Sequence, residues 1–242
     1  MSESDARRDP PVPQDRALSR FADPRHVDSE GLVCCGGELS CDWLLDAYRR
    51  GIFPWPINDE EPMLWWSPDP RAVIELDALR VSKRLRRTIS SGRFRGTCNQ
   101  DFRAVLNGCA TGPGRQDGTW LTDSMQEAYA AMHEQGHAHS IEVWMHAEGE
   151  QSLVGGLYGV AIGGMFSAES MFHYETDASK VALAWLVQHL NARGYVLLDI
   201  QQWTEHTGRL GASEIPRDEY LRRLAGAIDL PVSFGEALEI DA

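Results

Sequence analysis

The chain has 242 residues, of which 43% are hydrophobic, and it carries a formal net charge of −13. This length permits one large domain, or a large and a small one, each with a hydrophobic core. The acidic balance excludes a protein that coats nucleic acid non-specifically, because neutralising phosphates requires a basic surface. The sequence has no apolar run long enough to span a bilayer and no apolar signal segment at the N-terminus, so we expect a soluble, cytoplasmic protein.

The first part of the chain changes in composition twice. Residues 1–16 are rich in proline and charge and are predicted to form a disordered extension. Further on, Ser40 is a plausible cap for a helix that ends at Gly51. An aromatic segment punctuated by prolines follows, and we predict irregular structure there until a strand starts at Arg71. The five cysteines form no CxxC pair and are expected to be reduced.

Residues 80–95 form a basic run, "RVSKRLRRTISSGRFR", that contains no acidic residue. Such a run can be a solvated helix face. Because the rest of the chain is acidic, a concentrated basic patch is better explained by contact with a polyanion.

The remaining segments alternate between helical and strand periodicity. Helical spacing covers residues 100–110, 121–136 and 177–194, and a late helix opens at Pro216. Strand patterns cover residues 139–146, 150–172 and 195–201. This order predicts an α+β fold around a mixed sheet.

The stretch "HEQGH", residues 133–137, matches the H-E-x-x-H pattern of zinc proteases, and His139 follows as a possible extra ligand. The pattern binds zinc when its two histidines lie one turn apart on a continuous helix. Gly136 lies where helical spacing ends and strand alternation begins, so it is predicted to terminate the helix and leave His137 outside it. We therefore expect no metal here, and His133 is interpreted as a last-turn residue that complements the helix dipole.

Eight segments between about residues 30 and 224 together resemble one family: "YRRGIFPWP", "LWWSPDPRAV", "GTWLTDSMQEAY", "HEQGHAHSIEVW", "LVGGLYGVAIGGMFSAESMF", "ASKVAL", "LLDIQ" and "HTGRLGASEIPR". The combination is similar to the bacterial leucyl/phenylalanyl-tRNA–protein transferases. The resemblance implies a small N-terminal domain, residues 17–69, joined to a catalytic domain, residues 70–242, that is similar to GCN5-related acetyltransferases.

The resemblance also implies a reaction. Leu or Phe, and less readily Met, would move from aminoacyl-tRNA to the α-amino group of proteins with N-terminal Arg or Lys. The product would be an N-degron, which is passed to the adaptor of a cytoplasmic protease. The donor is already an activated ester, so the transfer formally requires neither ATP nor a metal, and we expect no cofactor.

The resemblance assigns catalytic roles to Asp199, Gln201 and Glu169. On a strand, Asp199 and Gln201 are two residues apart and would project from the same face. Asp199 is expected to orient Gln201, and Gln201 is expected to contact the attacking amine. We expect Glu169 to favour a cationic Arg or Lys on the acceptor. An amide is a very poor base, so the final proton acceptor is left open.

The resemblance further divides donor recognition among three groups of residues. Trp55 and Trp120 would stack on the terminal adenosine. The aminoacyl pocket would comprise Leu157, Phe166, Met171, Leu186 and Leu198. The acceptor arm of the tRNA would contact Lys83, Arg84, Arg86 and Arg87. Two positions depart from the family pattern, in which we expect Met in place of Leu157 and Asn in place of Thr204.

Three other functions are alternatives for this sequence. An acyl-CoA acetyltransferase usually has a glycine-rich pyrophosphate loop, whereas the comparable stretch here, "HYETDASKVAL", has acids and no glycine. A non-catalytic tRNA-binding adaptor would bind tRNA without turnover. The tRNA-dependent ligases of cell-wall synthesis generally have a duplicated domain and a longer chain.

Overall fold

The computed structural model describes residues 19–115, 118–147 and 149–240. The predicted disordered extension, residues 1–16, lies outside them. The described residues form seven α-helices and ten β-strands. The helices are α1 Cys41–Arg49, α2 Lys83–Ile89, α3 Phe102–Thr111, α4 Asp123–Glu134, α5 Ala178–Arg193, α6 Glu205–Arg209 and α7 Arg217–Ala227. The strands are β1 Leu32–Cys35, β2 Phe53–Pro54, β3 Leu64–Trp66, β4 Arg71–Ile74, β5 Phe94–Cys98, β6 Ala138–Ala147, β7 Glu150–Ile162, β8 Met165–His173, β9 Leu197–Gln201 and β10 Ser213–Ile215.

Helix ends follow the signals in the sequence. The Ser40 side chain accepts a hydrogen bond from the Trp43 backbone N–H and caps α1, and Thr122 caps α4 in the same way. Gly136 follows the end of α4 with a φ of +79°, a left-handed conformation that glycine adopts without strain. The predicted helix end is confirmed, and His137 lies outside the helix.

The histidines of the "HEQGH" stretch make structural contacts. The His133 Nδ1–H donates to the Ala138 carbonyl at 2.8 Å, and the His133 ring stacks on Phe102 with 4.2 Å between centroids. The His139 ring stacks on Phe234 at 4.3 Å. Because His137 does not continue α4, the helical geometry of a zinc-protease motif is not formed.

Strands β5 to β10 and β4 form one seven-stranded sheet, in the order β10-β4-β9-β8-β7-β6-β5. β8 and β9 pair in parallel, and the other described pairs in this sheet are antiparallel. Parallel neighbours need a crossover, which α5 provides. The predicted α+β class with a mixed sheet flanked by helices is confirmed.

Hydrophobic clusters cover both faces of this sheet. Residues of α1, α3, α4 and α7 share one cluster, which includes Tyr48, Val105, Tyr129 and Tyr220. Residues of α2 and α5 belong to the other cluster, which reaches Phe234 in the C-terminal segment.

Among the described residues, no helix combines the length and apolar character needed to cross a bilayer. The predicted domain boundary between residues 69 and 70 stays a prediction. Residues on both sides of it belong to the first cluster.

The aromatic segment before Arg71 is more regular than predicted. β1, β3 and β2 form a three-stranded antiparallel sheet in which Phe53 pairs with Trp66 and Pro54 with Trp65. The prediction of irregular structure was wrong because strands of two or three residues leave no readable periodicity. Pro54 is tolerated because β2 is an edge strand.

Candidate active site

The parallel pairing of β8 and β9 brings polar side chains together at the centre of the sheet. Ser167 on β8 lies in register with Asp199 on β9. The Ser167 Oγ is 3.4 Å from Asp199 Oδ2 and 2.9 Å from Glu169 Oε1. One hydroxyl carries one proton, so the shorter contact identifies Glu169 as its acceptor. The site therefore starts from residues of two adjacent strands.

Glu169 is the extra residue of a β-bulge. Tyr158 pairs with Ser170 and the next residue, Gly159, pairs with Ala168, so Glu169 has no partner across the β7–β8 ladder. A bulge of this kind redirects a side chain from the regular alternation. Glu169 consequently reaches the cleft beside the sheet.

A second bulge occurs on β9. Val73 pairs with Asp199 and Ala72 with Gln201, which leaves Ile200 as the extra residue. Gln201 has a φ of +59°, a left-handed conformation that is uncommon outside glycine. Asp199 and Gln201 nevertheless share a face of β9, as expected, because Asp199 Oδ2 lies 3.4 Å and Gln201 Nε2 2.8 Å from the same Ser167 Oγ. Asp199 also accepts the Gln201 backbone N–H at 2.9 Å.

The side chain of Gln201 lies against Ser167 and Glu169. Its Nε2 donates to Ser167 Oγ at 2.8 Å and to Glu169 Oε1 at 2.9 Å. Both N–H groups of the amide are then hydrogen-bonded. Since a carboxylate can only accept, the amide nitrogen and not its oxygen must face Glu169. Gln201 and Glu169 both line the cleft, whereas Asp199 is fully buried behind them.

Arg71 holds Asp199 in place, although the sequence analysis did not single it out. Its Nε and Nη2 donate to the two oxygens of Asp199 at 2.8 and 2.6 Å, and its Nη1 donates to the Gly51 carbonyl at 3.0 Å. Tyr220 donates to Asp199 Oδ2 at 2.9 Å. The guanidinium also lies against the rings of Phe53 and Tyr220. Burial disfavours its charge, but Asp199 outweighs this effect and raises the pKa of Arg71.

Two tyrosines support Glu169 from the other side. Tyr129 donates to Glu169 Oε2 at 3.1 Å, and the hydroxyls of Tyr129 and Tyr48 are 2.7 Å apart. Burial raises the pKa of Glu169 to about 7, against hydrogen bonds from Tyr48 and Ser167 that lower it. A carboxyl with this pKa can take up or release a proton near neutral pH.

The cleft has a volume of about 370 Å³ and an apolar wall next to these polar groups. Leu157 and Met171, which form a cross-strand pair, both line it. The other three residues of the predicted aminoacyl pocket, Phe166, Leu186 and Leu198, are fully buried in the core cluster behind the wall. Ile74, Leu183 and Ile200 line the cleft although the sequence analysis did not include them.

Trp55 and Trp120 both lie at the cleft, as their predicted common role requires. Their rings stack on each other, with 5.2 Å between centroids and 24° between planes. At this separation the two rings are in direct contact. A base would therefore stack on an outer face or separate the two rings.

The predicted tRNA-binding residues Lys83, Arg84, Arg86 and Arg87 all lie on α2, and all four are exposed. Ser82 caps this helix through a hydrogen bond to the Leu85 backbone N–H, and Leu85 anchors it to the core. The basic run thus presents its charges to solvent from a packed helix.

The α+β fold thus holds one cleft in which a hydrogen-bonded carboxylate and amide lie beside an apolar wall. Residues 73–225 match the model of the leucyl/phenylalanyl-tRNA protein transferase family, and residues 37–69 match the model of its N-terminal domain. The chain belongs to this family.

Curated relatives bear the name leucyl/phenylalanyl-tRNA–protein transferase. The relative from Oleidesulfovibrio alaskensis is 50% identical over 89% of this chain and 87% of its own length. The relative from Solidesulfovibrio magneticus is 51% identical over 86% of this chain and 82% of its own length. Among solved structures, L-PGS from Bacillus licheniformis is 14% identical with a TM-score of 0.36, covering 70% of this chain and 55% of that one.

Proposed function

We propose that this enzyme transfers Leu or Phe, and less readily Met, from aminoacyl-tRNA to the α-amino group of proteins with N-terminal Arg or Lys. It would act in the cytoplasm, and its products would be N-degrons that are passed to a protease adaptor. One observation carries the proposal: a hydrogen-bonded carboxylate and amide share a single cleft with an apolar wall and a tryptophan pair. These groups suit, in turn, an amine, an apolar side chain and a nucleobase.

The proposed reaction forms one bond and breaks another. The acceptor arrives as an ammonium and gives a proton to the Glu169 carboxylate. The neutral amine then attacks the ester carbonyl and forms the C–N bond, while the bond from the carbonyl carbon to the ribose oxygen breaks. The second amine proton leaves with that ribose oxygen, so the products are an amide, a free tRNA 3′ end and one released proton.

Each polar residue has a distinct role in this scheme. Both amide protons of Gln201 are held by Ser167 and Glu169, so its amide oxygen is the group that can accept from the incoming amine. Asp199 does not line the cleft and acts as a positioning residue through the Gln201 backbone. Before proton transfer the anionic Glu169 favours the approach of a cationic acceptor terminus, and it then accepts the ammonium proton.

The first experiment supplies purified enzyme with labelled Phe-tRNA, peptides beginning with Arg or Ala, and EDTA. We expect transfer to the Arg peptide only, and loss of transfer in Asp199→Ala because the Gln201 backbone loses its acceptor. A matched control, Asp218→Ala, removes an exposed carboxylate from α7 and should retain transfer. Binding of labelled tRNA with no transfer to any N-terminus would support a non-catalytic adaptor instead.

A second prediction concerns α2. Lys83→Ala combined with Arg84→Ala should raise the KM for Phe-tRNA and for Leu-tRNA equally, because phosphate contacts carry no information about the aminoacyl group. The Leu/Phe ratio of kcat/KM, measured with both tRNAs in competition, should stay unchanged. An altered ratio at unchanged affinity would contradict the assignment of these residues to tRNA binding.

A further inference from the structure

A second cavity, with a volume of about 250 Å³, adjoins the cleft on the side of α2. We name it the cationic cavity and define it by Arg80, Arg84, Asp177, Lys180, His206 and Arg209, which lie on or beside α2, α5 and α6. His206 lines both this cavity and the cleft, so the two spaces meet at that side chain.

The charge of the cationic cavity is mainly positive. Its four Arg and Lys side chains face a single lining carboxylate, Asp177. Asp177 is shared, since Arg84 lies 3.6 Å and Lys180 2.9 Å from its oxygens. Arg209 pairs with Glu205, which does not line the cavity. Partial burial lowers the pKa of His206, and the nearby charges of Lys180 and Arg209 act in the same direction.

We infer that the cationic cavity binds a backbone phosphate in the single-stranded 3′ end of the donor tRNA. The inference rests on the proposed function and on continuity: Arg84 belongs both to the basic face of α2 and to the cavity, and His206 belongs to the cavity and to the cleft. A donor whose duplex lies on α2 and whose aminoacyl end enters the cleft passes over this cavity. A phosphodiester is the anion that Arg and Lys bind there. A cationic acceptor terminus is repelled.

The test uses Lys180→Gln and Arg209→Gln, whose side chains are 38% and 75% exposed, so that folding is preserved. Three donors share the phenylalanyl ester: Phe-tRNA, the phenylalanyl trinucleotide CCA, and phenylalanyl-adenosine, which has no phosphate. We expect the KM for Phe-tRNA and for the trinucleotide to rise on the order of fivefold, with phenylalanyl-adenosine unchanged. The slope of log affinity against log salt for the trinucleotide should fall by roughly 0.7 per lost contact.

Arg103→Gln is the matched control, because Arg103 is also exposed and paired with a glutamate, Glu127, but does not line the cavity. It should leave the KM of all three donors unchanged. Equal use of the trinucleotide by wild type and variants would overturn the inference, even if Phe-tRNA were affected, because the contact would then be to the duplex. Calorimetric binding of uncharged CCA tests the cavity without turnover, so a wild type that binds CCA and transfers nothing refutes the proposed function alone.

Discussion

Arg71→Leu is expected to lower the free energy of unfolding by about 3–5 kcal/mol, because it leaves the buried carboxylate of Asp199 without its cation. The transfer activity should be lost as well, since Asp199 holds the Gln201 backbone. Urea denaturation and the transfer assay measure the two effects. The control is Arg103→Leu, which makes the same substitution at an exposed arginine. It should change the free energy of unfolding by less than about 0.5 kcal/mol.

The double variant Arg71→Met with Asp199→Leu separates the two roles of the ion pair. Replacing both charges by apolar side chains removes the unpaired carboxylate, so most of the lost stability should return. Transfer should remain absent because the Gln201 N–H still has no acceptor. A stable double variant with normal activity would show that the pair is not needed for positioning.

Glu169→Gln is expected to reduce the transfer rate by about 10²- to 10³-fold, because the amide cannot accept the ammonium proton. The wild-type rate should rise as pH increases through about 7, where the pKa of Glu169 lies and its carboxylate form appears. The variant should keep only the rise due to the acceptor amine, near pH 7.7–8.0, a value typical of α-amino groups. Single-turnover rates between pH 5.5 and 9 test this, and an unchanged profile would refute the role of Glu169.

The same residue makes a prediction about stability. The pKa of Glu169 is raised from 4.5 to about 7, so the folded protein holds a proton that the unfolded chain has lost in this interval. Its contribution to stability is therefore fully present below pH 4.5 and is lost as pH rises through 7. Glu169→Gln should flatten that part of the curve of unfolding free energy against pH.

Much of the architecture could be predicted because its signals are local. Ser40, Thr122 and Gly136 mark helix ends through side chains and φ angles that depend on a few neighbouring residues. The long strands and α5 have apolar patterns that periodicity identifies. Strands β2 and β3 were not predicted, because they are too short to show a hydrophobic periodicity.

The geometry of the candidate site could not be predicted from local patterns. The bulges at Glu169 and Ile200 depend on how two strands pair, so they cannot be recognised from the sequence of one strand alone. The role of Arg71 depends on a partner 128 residues away, and that of Tyr48 on a hydroxyl 81 residues away. The sequence did contain one indication of the role of Arg71. Arg71 is the first residue of the otherwise apolar strand "RAVI", and a buried charge requires a partner.

The contacts of Arg71 also bear on how the protein becomes active during synthesis. Its guanidinium joins Gly51, Asp199 and Tyr220, which are separated from it by 20, 128 and 149 positions along the chain. Contacts so distant in sequence form late, because closing long loops costs entropy before the contacts stabilise them. A nascent chain that has not yet released Tyr220 from the ribosome already contains Glu169 and Gln201, but not the last hydroxyl that holds Asp199. We therefore expect the hydrogen bonds around Asp199 to be complete only once α7 has formed.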